Sequence, residues 1–219
     1  MIRRIVGLHY SPLGGTAKIT ERIAREIAEE LDRVTAEDIS CSCCDMLDIM
    51  NGIAEVPQFD EETIAVIGMP VRVGKIPLPA IKLLRQISGQ GAMTVALVSY
   101  GTPTYGNALY ELYNYADELG FTVVGAGAFV AQHGRKLDLK RPDLSDVEAM
   151  EEFGRAVSRK LARLHGSDIE GLRIKPAPLM LSGKMPVHRI SKVSPRAAAI
   201  AELTFEKTNL RRREPEWFL

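Results

Sequence analysis

Four short runs in the first two thirds of the chain read as strands, Ile2 to His9, Thr63 to Met69, Ala92 to Ser99 and Phe121 to Val130, and Thr63 to Met69 is almost wholly apolar. A strand without polar alternation is covered on both faces, as in a parallel sheet held between helix layers. Helical periods fall between most of these runs. From Ala17 to Leu31, Ile19, Ile23, Ile27 and Leu31 lie four apart and make one apolar stripe, with Arg22, Arg25, Glu26, Glu29 and Glu30 opposite. A helix is expected from about Pro77 to Ile87, where Pro77 and Pro79 suit a first turn. The next buries Leu109, Leu112, Tyr113, Ala116 and Leu119 and stops at Gly120. A last one starts at about Ser145, where Ser145-Asp146-Val147-Glu148 reads as a capping box. Val34 to Ile39 reads as a weak edge strand, and Asn51 to Asp60 as a connection. The alternation predicts an α/β fold with a doubly wound parallel sheet and right-handed crossovers.

Sheets of this kind take ligands outside the carboxyl ends of their strands, where the winding reverses. Three glycine-containing loops follow strands and are expected at one rim: Ser11 to Thr16, Pro70 to Lys75 and Tyr100 to Asn107. The first suits a phosphate. Gly14 and Gly15 permit a sharp turn. The amides of the helix start at Thr16 and Ala17 point outward, where the macrodipole favours an anion. Ser11 and Thr16 add hydroxyl donors.

Composition narrows the function classes. Hydrophobic residues make up 46% of 219 and charged residues 26%, as in a globular protein. The formal net charge of zero argues against broad nucleic-acid binding and departs from the acidic surface of small electron carriers. No apolar run approaches the ~20 residues of a membrane helix. Met1-Ile2-Arg3-Arg4 leads into a strand rather than a signal peptide, so a cytoplasmic location is expected. All three cysteines lie in Cys41-Ser42-Cys43-Cys44. They make neither a disulfide framework nor a four-ligand metal set, and read as reduced thiols after a short strand. The pattern breaks at about Gly166. Residues 166–219 form a proline-punctuated extension with one alanine-rich helix, Pro195 to Lys207, then Arg211-Arg212-Arg213 and the single tryptophan, Trp217.

Ser11-x-x-Gly14-x-Thr16 after the first strand resembles the phosphate loop of the flavodoxin family. Two later motifs follow strands three and four: Gly68-x-Pro70-Val71-x-x-Gly74-x-x-Pro77, and Tyr100-Gly101 running through Tyr105-Gly106-Asn107-Ala108-Leu109 to Glu111-Leu112. A third runs from Ala128-Phe129-Val130-Ala131-Gln132-His133 to Arg141-Pro142-Asp143. Together they resemble the flavodoxin half of proteins that fuse such a domain to a bacterial two-cluster ferredoxin, over residues 1–165. The resemblance implies a five-stranded parallel sheet in the order 2-1-3-4-5 and bound FMN. Carried over, Ser11, Gly14, Gly15, Thr16 and Ala17 hold the FMN phosphate. Pro70, Val71, Arg72, Val73 and Gly74 cover one side of the isoalloxazine, and a carbonyl near Gly74 accepts from the reduced ring. Ser99, Tyr100, Gly101, Tyr105, Gly106 and Asn107 line the other side, with Tyr100 or Tyr105 against the ring.

Two features depart from that pattern. Leu13 and Gly15 stand where flavodoxins carry hydroxyl or polar residues, which removes two phosphate contacts. The extension has no cysteine, so it ligates no iron–sulfur cluster. Electrons then come from outside, from a ferredoxin or NAD(P)H, and pass to an acceptor the sequence does not name. Carrier and FMN-dependent reductase both fit. So does a flavodoxin-like interaction module that has lost FMN. A response-regulator switch is excluded, because His9-Tyr10 and Met69-Pro70 stand where its acidic residues belong. His133 is read as a structural histidine or a proton relay. Arg72 and Lys75 are read as a solvated rim or an attractor for a nicotinamide phosphate. Trp217 and Phe218 are expected to dock on their own subunit or on a second copy, making the extension a candidate dimer contact.

Overall fold

The computed structural model describes residues 2–101, 104–132, 141–163, 170–174 and 216–219. Five parallel strands form the body of one sheet: β1 (Arg4–His9), β2 (Ser40–Asp45), β3 (Thr63–Pro70), β4 (Met93–Tyr100) and β5 (Thr122–Val130). The order β2-β1-β3-β4-β5 is that of a flavodoxin-like doubly wound sheet. A sixth strand, β6 (Glu216–Phe218), pairs antiparallel with β5, Gly127 opposite Trp217. The expected five-stranded sheet therefore gains an edge strand from the extension. Three residues are too few to show a strand period in sequence. Trp217 packs on Phe153 with ring centroids 5.8 Å apart, on its own subunit.

The two helix layers follow from the strand pattern. On one face, α1 (Gly15–Thr35) and α5 (Leu144–Ala162) cover Ile5, Ile64, Val66 and Val95. On the other, α3 (Leu78–Leu84) and α4 (Ala108–Glu118) cover Leu8, Ile67, Ala96 and Val98. A short α2 (Met46–Met50), absent from the sequence reading, buries Met46 in the second layer. Ile19, Ile23 and Ile27 of α1 are fully enclosed, each contributing about 1.5–3 kcal/mol by burial. Gly68 sets the height of α1 over the sheet: a Cβ there would lie 1.8 Å from Thr20 Oγ1.

Two sequence expectations shift. Val34 lies in α1, and the second strand falls on Ser40–Asp45 instead of Val34 to Ile39. Most of β2 is exposed and it carries no apolar period; only its ladder to β1 makes it a strand. The cysteines therefore sit within a strand, not after one. The cap of α5 falls two residues earlier than read. Asp143 accepts from the Ser145 and Asp146 amides, and Asp146 Oδ2 accepts from the Asp143 amide. A carboxylate box replaces the serine–glutamate one, the same chemistry with different residues. The expected helix at Pro195 to Lys207 and the run Arg211 to Arg213 lie outside the described residues. No described helix is long and apolar enough to cross a membrane.

Candidate functional site

β1 feeds α1 on one face and its neighbour β3 feeds α3 on the other, so a crevice opens between their carboxyl ends. Three loops border it. In the first, Gly14 takes a left-handed conformation (φ 80°) and its amide donates to the Ser11 carbonyl at 3.1 Å. Ser11 Oγ reaches past the turn and accepts from the Ala17 amide at 2.9 Å. It thus caps the helix although Gly14 holds the cap position. Gly15 and Thr16, the first two residues of α1, have no carbonyl available to their amides within the helix. Thr16 Oγ1 and Ser99 Oγ lie 2.7 Å apart, a buried bond from α1 to the end of β4. The turn also packs against the segment after β5: a Cβ on Gly15 would stand 3.4 Å from that of Ala131.

The hydroxyls keep donors in hand. Ser11 Oγ spends an acceptor on Ala17, so its own hydrogen stays free to donate. In the Thr16–Ser99 pair one hydroxyl donates to the other, and the second hydrogen remains. Two hydroxyl donors and two helix-start amides thus remain for an anion at α1. Leu13, 62% exposed, offers it nothing polar.

The loop after β3 is a tight turn. Val71 donates its amide to the Ser99 carbonyl at 2.8 Å, and Pro70 ends the strand beside it. Arg72 and Lys75 exchange both backbone bonds, at 2.8 and 3.1 Å. The two central residues are left-handed, Val73 at φ 52° and Gly74 at φ 70°, a type I′ geometry. A β-branched residue there stores about 1–3 kcal/mol of strain, a sum found where a site needs a fixed backbone. The turn is braced from α4. Asn107 donates its amide to Gly74 O at 2.9 Å, and Ile76 donates to Glu111 Oε2 at 3.0 Å. Burial pushes the Glu111 carboxyl up from its ordinary value, against the pull of the Ile76 amide and of Lys75. The carbonyl of Gly74 is thus already engaged. Among the described residues, Val73 O is the turn carbonyl without a hydrogen bond. Arg72 and Lys75 point to solvent.

In the loop after β4 the described tyrosines lie inward. Tyr100 and Tyr105 are both buried and meet edge to face, centroids 5.5 Å apart. Tyr105, 2% exposed, donates its hydroxyl to Glu216 Oε2 at 2.8 Å, tying this loop to β6. Burial, reinforced by Glu216, drives the phenol well above its usual range. Gly101 and Asn107 are partly exposed, and Gly106 donates to Thr104 Oγ1 at 3.0 Å. His133 lies outside the described residues. His9, 4% exposed at the end of β1, has Nε2 3.3 Å from Glu21 Oε1.

The structure therefore brings Ser11, Gly14, Gly15, Thr16, Ala17, Val71, Gly74, Ser99 and Asn107 onto one hydrogen-bonded rim. Sequence reasoning did not assign Glu111 or Glu216. An acidic residue in the first turn of α4 is what the helix dipole alone favours, and nothing local points to Ile76, 35 residues earlier.

No protein-family model matches the sequence, and no curated protein matches it. Solved structures do match. An oxidoreductase from Corynebacterium diphtheriae is 13% identical with a TM-score of 0.50, covering 74% of this chain and 95% of that one. Flavodoxin 1 from Bacillus cereus is 20% identical with a TM-score of 0.47, covering 74% of this chain and 99% of its own. A flavodoxin from the Archaea is 19% identical with a TM-score of 0.45, covering 73% and 99%. What is shared is the fold.

Proposed function

We propose that this chain binds FMN at the β1–β3 crevice and serves in electron transfer or FMN-dependent reduction, with an external donor such as a ferredoxin or NAD(P)H. One observation carries the reading. Thr16–Ser99, Val71–Ser99 and Gly74–Asn107 knit three loops from three strands into one preformed rim at the switch point. A fold alone has no need of an anion site, a strained turn and braces between them at one place; a ring-bearing phosphate ligand does. The residues fit the group. Gly15 and Thr16 amides with Ser11 and the Thr16–Ser99 pair take the phosphate, and the turn from Arg72 to Lys75 lies where a planar ring can rest.

Bound FMN supplies the redox chemistry, passing one or two electrons without a covalent step on any side chain. The chain's task is to bind, orient and shield. The braces from Asn107 and Glu111 fix the turn backbone before a ligand arrives, which lowers the ordering cost of binding.

Titration of the purified protein with FMN tests this. Quenching of flavin fluorescence, saturating at one equivalent, is expected, with binding weakened at least severalfold in Ser11→Ala. A colourless protein that rejects FMN sinks the proposal. It would favour a flavodoxin-like interaction module instead, to which exposed Leu13 and the internally engaged hydroxyls of Ser11 and Thr16 would then point. Anaerobic mixing of the FMN-loaded protein with NADH, NADPH or reduced ferredoxin then separates reductase from carrier. Fast direct reduction by a nicotinamide marks the reductase.

A further inference from the structure

β6 is short, yet it reaches both helix layers. Its ladder to β5 sets Glu216 opposite Ala128, Trp217 opposite Gly127 and Phe218 opposite Ala126. Successive strand residues face opposite ways. Trp217 packs on Phe153 of α5, and Phe218 packs against the layer of α3 and α4. Leu219 lies over Gly125, where a Cβ would stand 3.2 Å from its side chain. The ladder and these apolar contacts hold the strand to the sheet. Glu216 shares a face with Phe218, the layer that also contains Tyr105. Its carboxylate leaves the strand for the loop after β4 and accepts from the Tyr105 hydroxyl at 2.8 Å.

Tyr105 depends on that acceptor. Its side chain is buried, and a hydroxyl buried without a partner forfeits the hydrogen bonds it had in water. Among the described residues, Glu216 is the acceptor that this hydroxyl reaches. Tyr105 in turn sits among the braces of the crevice. Its ring meets Tyr100, the neighbour of Ser99, and Ser99 bonds both Thr16 and Val71. Its carbonyl accepts from the Ala108 amide at 3.1 Å, at the start of α4. Two residues on, Asn107 donates to Gly74 O, and Glu111 in the first turn of α4 accepts from Ile76. Without the carboxylate, the phenol must stay in the core unpartnered or turn out to water. Turning out moves the segment that holds the Val73–Gly74 turn.

We propose that Glu216 is a positioning residue for the crevice: through Tyr105, β6 clasps the loop after β4, and that loop passes the hold to the turn at Val73 and Gly74. The clasp and a ligand in the crevice favour the same arrangement of the loop, so cutting the clasp weakens the ligand. The inference rests on the FMN reading for that affinity alone. The hold on the turn is a property of the ligand-free chain.

The test is amide exchange followed by NMR on the ligand-free, full-length chain. In Glu216→Ala, the Asn107 and Ile76 amides that brace the turn should exchange roughly tenfold faster, while Val66 and Val95 in the sheet centre keep their rates. Glu216→Gln keeps an oxygen that accepts from the phenol and should restore most of the protection. Adding Tyr105→Phe to Glu216→Ala removes the stranded hydroxyl and should also slow exchange again. Trp217 is the single tryptophan, so its emission reports β6 itself and should match the parent in Glu216→Ala. Where the parent binds FMN, Glu216→Ala should weaken binding by about fivefold and Glu216→Gln much less. A parent that rejects FMN removes the FMN reading, and exchange alone then decides the clasp. Unchanged exchange at Asn107 and Ile76 would overturn the proposal, as would equal acceleration in the sheet centre. So would Glu216→Gln as damaging as Glu216→Ala, or a red-shifted Trp217, which would mean that Glu216 holds the strand rather than the loop.

Discussion

The loops after β1 and β3 border the same crevice, yet different forces hold them. The first is fastened by side chains and close packing: Ser11 Oγ on Ala17, Thr16 Oγ1 on Ser99, and Gly68 lying against Thr20. The second is fastened by its backbone. Arg72 and Lys75 close the turn, Asn107 and Glu111 brace it, and Val73 bears the strain. A phosphate presents fixed charge and asks for fixed donors. A planar ring asks for a shaped backbone surface. Under the proposed FMN reading the two halves answer those separate demands, and each predicts its own response to substitution.

The largest effect is expected on the first half. Gly68→Ala places a methyl 1.8 Å from Thr20 Oγ1, in a helix that cannot tilt without disturbing Ile19 and Ile23. A loss of about 3 kcal/mol in urea denaturation is expected. Adding Thr20→Ala removes the obstacle and should recover part of it, although the bond from Thr20 Oγ1 to Thr16 O goes too. A cost under about 0.5 kcal/mol for the single change would show that α1 is free to move, and that packing does not fix the phosphate half.

Thr16→Val comes next. It keeps the shape and strands buried Ser99 Oγ without its partner, at about 2 kcal/mol. Ser99→Ala in that background should then cost little, because no orphan is left. Full additivity in this double-mutant cycle would break the claim that the two loops are coupled through this bond.

The difference between the halves also explains what could be read from the sequence. Gly14, Gly15 and the hydroxyls of Ser11 and Thr16 are a local pattern between a strand and a helix, visible within nine residues. The sheet core was visible too, because Thr63 to Met69 and Ala92 to Ser99 announce burial by composition alone. The braces were not. Thr16 to Ser99 spans 83 residues and Ile76 to Glu111 spans 35, and both depend on which strands become neighbours. β2 was misplaced because an exposed edge strand has no apolar signature, and β6 because three residues have no period. The bond made by Tyr105 was hidden for a related reason. An aromatic residue after a strand reads as a ring partner, but Tyr105 finds Glu216, 111 residues away, and turns inward.

On the second half the effects are smaller, and its two central turn positions respond with opposite signs. Gly74→Ala forces a side chain into φ 70° and should cost about 1 kcal/mol. Val73→Gly releases strain at φ 52° and, after the entropy a glycine adds to the unfolded chain, should gain about 0.5 kcal/mol. If the turn's geometry serves the ring, Val73→Gly binds FMN more weakly while being more stable. A variant that gains in both measurements would place the strain outside the binding function.

The smallest effect is a matter of pH. Burial raises the Glu111 carboxyl above its ordinary 4.5, so the folded chain holds that proton more tightly than the unfolded one. Its contribution to stability is greatest below the unfolded value and declines as pH rises through the folded value. Glu111→Gln keeps an oxygen that accepts from the Ile76 amide but carries no charge. The variant should therefore match the parent in acid and become the more stable of the two as pH rises past the ordinary carboxylate range. Paired urea titrations from acid to neutral pH read the difference directly, with every other titrating group held in common. A variant that falls behind the parent as pH rises would show that the charged carboxylate, through Ile76 and Lys75, does more to hold the turn than its burial costs.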